Sequence, residues 1–268
     1  MRVIVPQSGL GNRMRVVASV CALAADSGWP MKIVWRATQD CHAWFDQLFL
    51  PLNAPLVEMT RGTLLDAPAT KHNLLLPYLY RWLAGYVERR CYRPADTGSF
   101  VHLAQAEPGL YVDTCYSLYP YPSESVASLF RPLPHLQARI NGLVSHFGDS
   151  ALGVHVRRTD NKQATQQSPL SAFRRAIDKK IDEGEAETIY LATDSEEVKD
   201  YMRHTYGNRL ICMSHPSQRH TLAGMEDAVV ELWSLAQTRH ILGSYYSSFS
   251  DTAAELFGRP LQIIRNEH

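Results

Sequence analysis

The clearest pattern of apolar and polar positions lies in the second half of the chain. From residue 151, short apolar runs alternate with stretches in which apolar residues recur at helical spacing. Runs of this kind, separated by turn residues, predict strands that alternate with helices. The predicted strands are 152–157, 188–192, 210–213, 240–244 and 261–264, and the predicted helices are 170–181, 196–206, 225–238 and a last one from near Ser250 to before Gly258.

The first half opens with the same alternation. Residues 2–5 predict a strand, residues 7–13 a glycine-containing loop, and the following stretch to about Asp26 a helix. Residues 33–35 predict a second strand. This order is a βαβ opening, which is typical of parallel sheets.

The region from about 38 to 120 is the least regular. Residues 74–76 favour a strand, and residues 80–90 favour a helix that carries both aromatic and basic side chains. The favoured interpretation of that helix is packing through its aromatic residues with the arginines outward. The alternative is an acceptor or membrane-surface patch formed by Trp82, Tyr86, Arg89 and Arg90.

Together these patterns predict an α/β protein of two Rossmann-like domains. Each domain has a mostly parallel sheet with helices on its faces, and a cleft lies between the two domains. We place the domains at 1–148 and 149–268.

Composition and charge narrow the function classes. The chain has 268 residues, with 27 basic and 27 acidic side chains and a formal net charge of zero, which argues against a general nucleic-acid binder. The five cysteines are widely spaced without a CxxC pair, so a disulfide framework or a zinc site is not expected. The chain starts directly with a predicted strand and has no apolar run of membrane-spanning length, so we expect a cytoplasmic protein, with the inner face of the membrane as an alternative place of work.

Polar side chains follow several strands of the second domain where each strand ends. Arg157, Arg158 and Asp160 follow one strand, and Asp194 follows the next. Because ligands of open parallel sheets bind at the carboxyl ends of the strands, these residues mark a candidate site. Paired guanidinium groups favour an anionic ligand such as phosphate. An ion pair between the arginines and Asp160 or a helix carboxylate is an equally weighted alternative.

A serine-rich run precedes the last predicted helix. Residues 247–251 read Ser-Ser-Phe-Ser-Asp, and serine hydroxyls, free backbone N–H groups and the helix dipole all suit a phosphate. For Ser250 alone, ordinary capping of the first turn is the favoured interpretation. On helix 225–238, Asp227 and Glu231 share one face, and a solvated face is the usual place for such a pair.

The glycine loop near the start of the chain is a weak signal alone. Gly9, Gly11 and Asn12 follow the first strand, but the third glycine of the dinucleotide fingerprint and the lysine of a P-loop are missing. A tight turn into a helix explains the loop equally well.

With these residues in place, the chain resembles the alpha-1,6-fucosyltransferase and nodulation fucosyltransferase group and, more loosely, the protein O-fucosyltransferases. Three blocks carry the resemblance in the same order and spacing, and the loop from Gly9 to Arg13 is similar as well. The blocks are Gly153–Asp160, Ile189–Asp194 and Glu231–Glu255, with Ser247 and Ser248 in the last.

The resemblance implies a GT-B-like fold, GDP-fucose as donor, inversion at the anomeric carbon, no cofactor and no required metal. It implies that Arg157 holds the pyrophosphate and that Arg158 supports the loop or the phosphate. His155 and Glu231 read the guanine, Asp194 belongs to the substrate-binding residues, and Ser247 and Ser248 lie by the β-phosphate. Gly9, Gly11 and Asn12 approach the diphosphate or sugar from the other domain.

The catalytic base is less constrained. The chain lacks the lysine directly after the motif aspartate and the nearby glutamate of the enzymes that it resembles, so Asp160 is the predicted base, with orientation of Arg158 as an alternative role. Arg157, Asp160 and Asn12 are therefore the predicted catalytic residues. The acceptor is expected to be a glycan, a lipid-linked glycan or a peptide. Another nucleotide sugar, or a catalytically silent nucleotide-binding protein, are the alternatives.

Overall fold

The chain folds into two α/β units, each built around a parallel five-stranded sheet. The computed structural model describes residues 1–159, 162–214, 218 and 220–266. The units are Met1–Arg131 and Pro132–His268, so the boundary falls earlier in the chain than the predicted 148/149. The helix that precedes residue 148 belongs to the second unit because it packs on a helix there.

The first unit has the strand order β3-β2-β1-β5-β4, with all neighbouring pairs parallel. Its strands are β1 (Arg2–Pro6), β2 (Met31–Val34), β3 (Val57–Thr60), β4 (Val87–Arg89) and β5 (Leu110–Thr114). Its helices are α1 (Leu10–Ser27), α2 (Leu76–Leu83), α3 (Ser99–Ala106) and α4 (Ser125–Leu129), with short 3-10 turns at Phe45–Gln47, Leu64–Asp66 and Lys71–Asn73.

The second unit has the order β10-β9-β6-β7-β8, again all parallel. Its strands are β6 (Ala151–Val156), β7 (Thr188–Thr193), β8 (Leu210–Cys212), β9 (His240–Ser244) and β10 (Leu261–Ile264). Its helices are α5 (Pro134–Val144), α6 (Lys162–Gln167), α7 (Leu170–Asp182), α8 (Glu196–Tyr206), α9 (Leu222–Ala236) and α10 (Ser248–Phe257).

The α/β fold class is confirmed, and the strand-helix alternation after residue 151 is found as predicted. The alternating pattern of β6 explains its place at the centre of the sheet. Leu152, Val154 and Val156 enter the core on one face, with Phe173 and Ile177 of α7. His155 lies between them in sequence and therefore faces the other side of the sheet.

Two predictions for the irregular region are wrong. Residues 74–76 form no strand, because Leu74 and Leu75 both have a positive φ and lead into α2. The helix predicted for 80–90 ends at Leu83, and Gly85, with φ of 76°, reverses the chain into β4. The predicted loop 7–13 is shorter than expected, because α1 already begins at Leu10.

The favoured interpretation of this stretch is wrong for Trp82, whereas Arg89 and Arg90 are exposed and Tyr86 packs on buried residues, as that interpretation expected. Trp82 is 62 % exposed, whereas Arg81 is 5 % exposed and is held inside. Among the described residues, no helix is both long enough and apolar enough to cross a membrane.

Candidate active site

The candidate site of the second unit lies where its strand order reverses. From β6 the chain proceeds to β7 and β8 on one side and then returns to β9 and β10 on the other. The carboxyl ends of β6 and β9 therefore flank a topological switch point, where open α/β sheets bind their ligands. Ser244, the last residue of β9, connects the ends of these two strands. Its hydroxyl accepts a hydrogen bond from the backbone N–H of Arg157 at 2.9 Å and donates one to the carbonyl of His155 at 3.2 Å.

Asp194, directly after β7, organises the loop that follows β6. One carboxylate oxygen accepts from the backbone N–H of Arg158 at 2.8 Å. The other accepts from the N–H and the hydroxyl of Thr159, at 3.3 and 2.7 Å. The same oxygen lies 3.3 Å from Nε of Arg157. A single carboxylate, 8 % exposed, thus fixes three consecutive residues after the strand.

The two adjacent arginines point to different partners. The Arg157 side chain is 21 % exposed, so it is oriented by Asp194 yet still reaches solvent at the switch point. The Arg158 guanidinium instead donates to the carbonyl of Ser168 at 3.0 Å, and burial lowers its pKa. Of the two roles that the resemblance leaves to Arg158, these contacts favour support of the loop.

The N-terminus of α10 faces the same edge without a side-chain cap. Ser247 is the residue before the helix, and its hydroxyl makes no capping hydrogen bond. Ser250 does not cap either, because it lies inside the helix and its hydroxyl donates to the Ser247 carbonyl at 3.1 Å. The capping interpretation of Ser250 is therefore wrong. The first-turn N–H groups of α10, beside Ser247 and Ser248, have no intrahelical acceptors and can receive an anion.

A glycine allows α10 to approach the sheet this closely. A Cβ at Gly243 of β9 would lie 2.7 Å from Oγ and 2.8 Å from Cβ of Ser250. Any larger residue at position 243 would push the first turn of α10 away from the ends of β6 and β9.

His155 is a buried imidazole with an unused nitrogen. The residue is 4 % exposed, and among the described residues Nδ1 has no hydrogen-bond partner. Its ring packs on Phe249 of α10, with ring centroids 4.9 Å apart. Burial, with a smaller contribution from Arg157, lowers the pKa of His155 to about 3, so the ring is neutral at physiological pH. Sequence reasoning missed Phe249, whose only signal was its place inside the serine run.

Glu231 lies inside the unit. It is 8 % exposed, and burial raises its pKa to about 8, while the fully buried Lys199 of α8 acts in the opposite direction. Asp227 forms an ion pair with Arg139 of α5. The solvated face that we expected for Asp227 and Glu231 is therefore wrong, because both sides of α9 are covered. Lys199 was not predicted; its burial can be seen only once α8 packs on the sheet.

In the first unit, the glycine loop also ends at a switch point, between β1 and β5. Gly9 is the residue before α1, Gly11 lies in its first turn, and the Asn12 amide donates to the Ser8 hydroxyl at 3.1 Å. Gly9, Gly11 and Asn12 belong to the first unit. The other predicted site residues that the structure describes belong to the second unit; they are His155, Arg157, Arg158, Asp194, Glu231, Ser247 and Ser248. Asp160, the predicted base, lies outside the described residues.

Arg13 holds the glycine loop in place, a role that the sequence did not reveal. Its guanidinium is fully buried and donates to the Ser8 carbonyl at 2.7 Å, the Arg36 carbonyl at 2.5 Å and the Thr38 hydroxyl at 2.6 Å. It also lies over the Trp35 ring, 5.3 Å from the centroid. One side chain thereby joins the loop after β1 to the loop after β2.

Comparisons with known proteins agree with this architecture. No protein-family model and no curated protein matches the chain. Among solved structures, NodZ alpha-1,6-fucosyltransferase soaked with GDP-fucose is 17 % identical, with a TM-score of 0.62 over 96 % of this chain and 92 % of that one. Apo POFUT1 is 12 % identical, with a TM-score of 0.61 over 98 % and 97 %. A mutant of Arabidopsis thaliana FUT1 in complex with GDP is 18 % identical, with a TM-score of 0.62 over 99 % of this chain and 70 % of that one.

At these identities the likeness shows the fold. It spans nearly the whole chain, and it confirms both the GT-B-like fold class and the resemblance to fucosyltransferase structures that the three sequence blocks indicated.

Proposed function

We propose that this protein is a glycosyltransferase that moves fucose from GDP-fucose to a hydroxyl group of a glycan, a lipid-linked glycan or a peptide, with inversion and without a metal. The observation that carries the proposal is the pairing of Arg157 and Asp194 at the switch point of the second unit, beside the uncapped N-terminus of α10. The structural neighbours that hold GDP or GDP-fucose support the choice of donor.

The charge of the reaction explains the arrangement. When GDP departs, negative charge develops on the β-phosphate. A protein group that interacts with this charge more strongly in the transition state than in the ground state lowers the barrier. A preoriented Arg157 supplies a cation, and the first-turn N–H groups of α10 supply aligned dipoles. Together they would take the place of a divalent ion. Ser247 and Ser248 add hydroxyl donors at the same helix end.

The base-binding end of the donor is assigned to His155, Phe249 and Glu231. Guanine offers N–H groups that need acceptors, and Nδ1 of the neutral His155 ring, which has no partner among the described residues, accepts in the tautomer that carries its proton on Nε2. Glu231 provides a second acceptor once it has lost its proton. Asp160 remains the proposed base that removes the proton from the acceptor hydroxyl. The five cysteines are all free thiols, which is compatible with the cytoplasmic location that we propose.

The first experiment is a calorimetric titration without metal, using GDP, GDP-fucose, GDP-mannose, UDP-GlcNAc and NAD. We expect selective binding of GDP and GDP-fucose, unchanged by EDTA, with affinity lowered about tenfold or more in Arg157→Ala. Arg174→Ala is the matched control, because Arg174 is an exposed arginine of α7 that forms an ion pair with Asp178 of the same helix.

The outcomes separate the alternatives. Selective binding of another sugar nucleotide would change the donor, and GDP-fucose binding without fucose release in the presence of candidate acceptors would indicate a silent nucleotide-binding protein. Absence of any guanine nucleotide binding, or strict dependence on a divalent ion, would overturn the proposal.

A further inference from the structure

Helix α2 is folded with its apolar side chains outward. Of its eight residues, only Pro77 and Arg81 are buried. Trp82 and Leu83 are 62 % and 65 % exposed. Further exposed apolar side chains lie in the 3-10 turn at Leu64–Asp66, which contacts α2, and in the link to α2. We call this set the apolar ridge; its exposed members are Leu64, Leu65, Leu74, Leu75, Leu76, Tyr78, Leu79, Tyr80, Trp82 and Leu83.

The ridge is fixed to the unit by the buried Arg81, with Pro77 as the other buried residue of α2. Arg81 donates to Glu88 of β4 through Nε at 2.9 Å and to the Leu65 carbonyl at 2.5 Å. Its guanidinium lies 4.2 Å from the centroid of the Tyr111 ring. One arginine therefore ties the 3-10 turn at Leu64–Asp66, α2 and the sheet edge together. The apolar side chains are left free for contact with something outside the chain.

The exposed charge around the ridge has one sign. Between residues 64 and 90 the acidic side chains are Asp66 and Glu88, and both are buried, at 8 % and 7 % exposure. Lys71 is the first residue of the 3-10 turn before α2, Arg89 ends β4 and Arg90 follows it, and all three are exposed. The ridge is thus rimmed by cations without an exposed carboxylate in the same segment.

We propose that the apolar ridge docks this protein on an anionic lipid surface. Soluble proteins seldom expose a contiguous apolar surface of this kind without a partner. Leucine with tyrosine and tryptophan, flanked by lysine and arginine, is the composition of segments that lie at the boundary of headgroups and acyl chains. The cations would pair with anionic headgroups while the apolar side chains enter the boundary region.

Charge also decides between a membrane and a second copy of the chain. In a two-fold symmetric dimer the same patch faces itself, so the rim cations would meet like charges. A sheet of anionic headgroups presents the complementary sign along the whole rim. The proposal does not rest on the proposed function, because the ridge lies in the first unit and its binding can be measured without any donor.

The experiment is sedimentation of the whole protein with vesicles of phosphatidylcholine, with and without about one-third phosphatidylglycerol. We expect binding to the mixed vesicles that weakens with added salt. The double variant Trp82→Ser, Leu83→Ser should lower the partition coefficient about tenfold or more, because the apolar contact is lost. Leu56→Ser, at another exposed leucine of the same unit, is the matched control and should bind as the wild type does.

Charge is tested with Lys71→Gln and Arg89→Gln, each of which should lower the partition coefficient by about fivefold. Lys179→Gln, at an exposed lysine of α7 in the second unit, is the control. Thermal unfolding and GDP titration of every variant separate lost docking from lost folding or donor binding. The proposal would be overturned if the wild type did not bind vesicles, or if the control variants lost as much vesicle binding as the test variants. It would also be overturned if the wild type bound no lipid but self-associated with rising concentration, and the double variant abolished this self-association.

Discussion

Oδ2 of Asp194 lies 3.3 Å from Nε of Arg157, so a carboxylate at the end of β7 orients the guanidinium that follows β6. The same carboxylate accepts hydrogen bonds from the backbone N–H groups of Arg158 and Thr159. Orientation of the arginine and shape of its loop are therefore set by one side chain. If Arg157 acts on the donor phosphate, Asp194 is a positioning residue for it.

Asp194→Asn tests this relationship. An amide offers one acceptor oxygen where the carboxylate offers two, so at least one loop N–H loses its partner and the guanidinium loses its ion pair. Because small displacements of a positioned group are costly, kcat for the proposed fucose transfer should fall about 100-fold. Thr159→Val removes only the hydroxyl donor and should have a much smaller effect. Equal kinetic constants for Asp194→Asn and the wild type would show that Arg157 does not need this partner.

Much of this site could be predicted from the sequence, for a definite reason. The ends of parallel strands share one edge, so polar residues after two predicted strands had to meet, and Arg157 and Asp194 do. Ser250 shows where such reasoning stops. It has the residue type of a cap, but α10 already starts at Ser248, so Ser250 lies inside the first turn. The contact of that turn with Gly243 of β9 joins positions that no local pattern connects.

The first unit shows a different limit. The spacing of aromatic residues around Trp82 predicted a packed helix face, because apolar side chains usually face the core. The buried pair of Arg81 and Glu88 places Arg81 inside and leaves Trp82 outside. A pair of charges separated by seven positions and brought together through an edge strand leaves no periodic signal. Arg13 is similar, since two of its three acceptors are backbone carbonyls, and these have no signature in the sequence.

The stability of the protein in acid should depend on His155. The usual histidine pKa of 6.5 in the unfolded chain falls to about 3 in the folded protein, so the folded state binds fewer protons between these values. The stability contributed by the neutral ring is therefore present above pH 6.5 and is lost as the pH falls toward 3. The slope is roughly 1 kcal/mol per pH unit.

Urea unfolding of His155→Gln across this range checks the expectation. The variant should lose less free energy of unfolding than the wild type as the pH falls, because its side chain does not titrate. His204→Gln, at an exposed histidine of α8, should keep the wild-type slope. Parallel curves for His155→Gln and the wild type would contradict a neutral, buried imidazole.

Glu231 should give the opposite dependence. Its pKa rises from the usual 4.5 to about 8, so the folded state holds an extra proton between these values. The corresponding stability is full below pH 4.5 and is lost as the pH rises through 8. Between pH 4.5 and 6.5 the contributions of Glu231 and His155 oppose each other, and above 6.5 that of Glu231 acts alone.

Glu231→Gln should therefore flatten the decline in unfolding free energy between pH 6.5 and 8, measured by urea unfolding. Glu197→Gln, at an exposed glutamate of α8, is the control and should leave the slope unchanged. If Glu231 accepts from guanine as a carboxylate, GDP affinity of the wild type should increase over the same pH range. An affinity that is constant with pH would argue against that contact while leaving the stability result intact.

Arg13→Lys should destabilise the first unit although it conserves the charge. A lysine ammonium cannot reach three acceptors in the fork geometry of a guanidinium, and it cannot lie flat over the Trp35 ring. At least one buried polar group would lose its partner, at a cost of about 3 kcal/mol in the free energy of unfolding. Arg15→Lys, at the next arginine of α1, should stay within about 0.5 kcal/mol of the wild type, because Arg15 is not fully buried.

If Gly9, Gly11 and Asn12 contact the donor, Arg13→Lys should also lower kcat at temperatures where the variant is folded. A folded variant with wild-type kinetics would remove the glycine loop from the proposed site, and a variant of wild-type stability would show that Arg13 does not hold the loop.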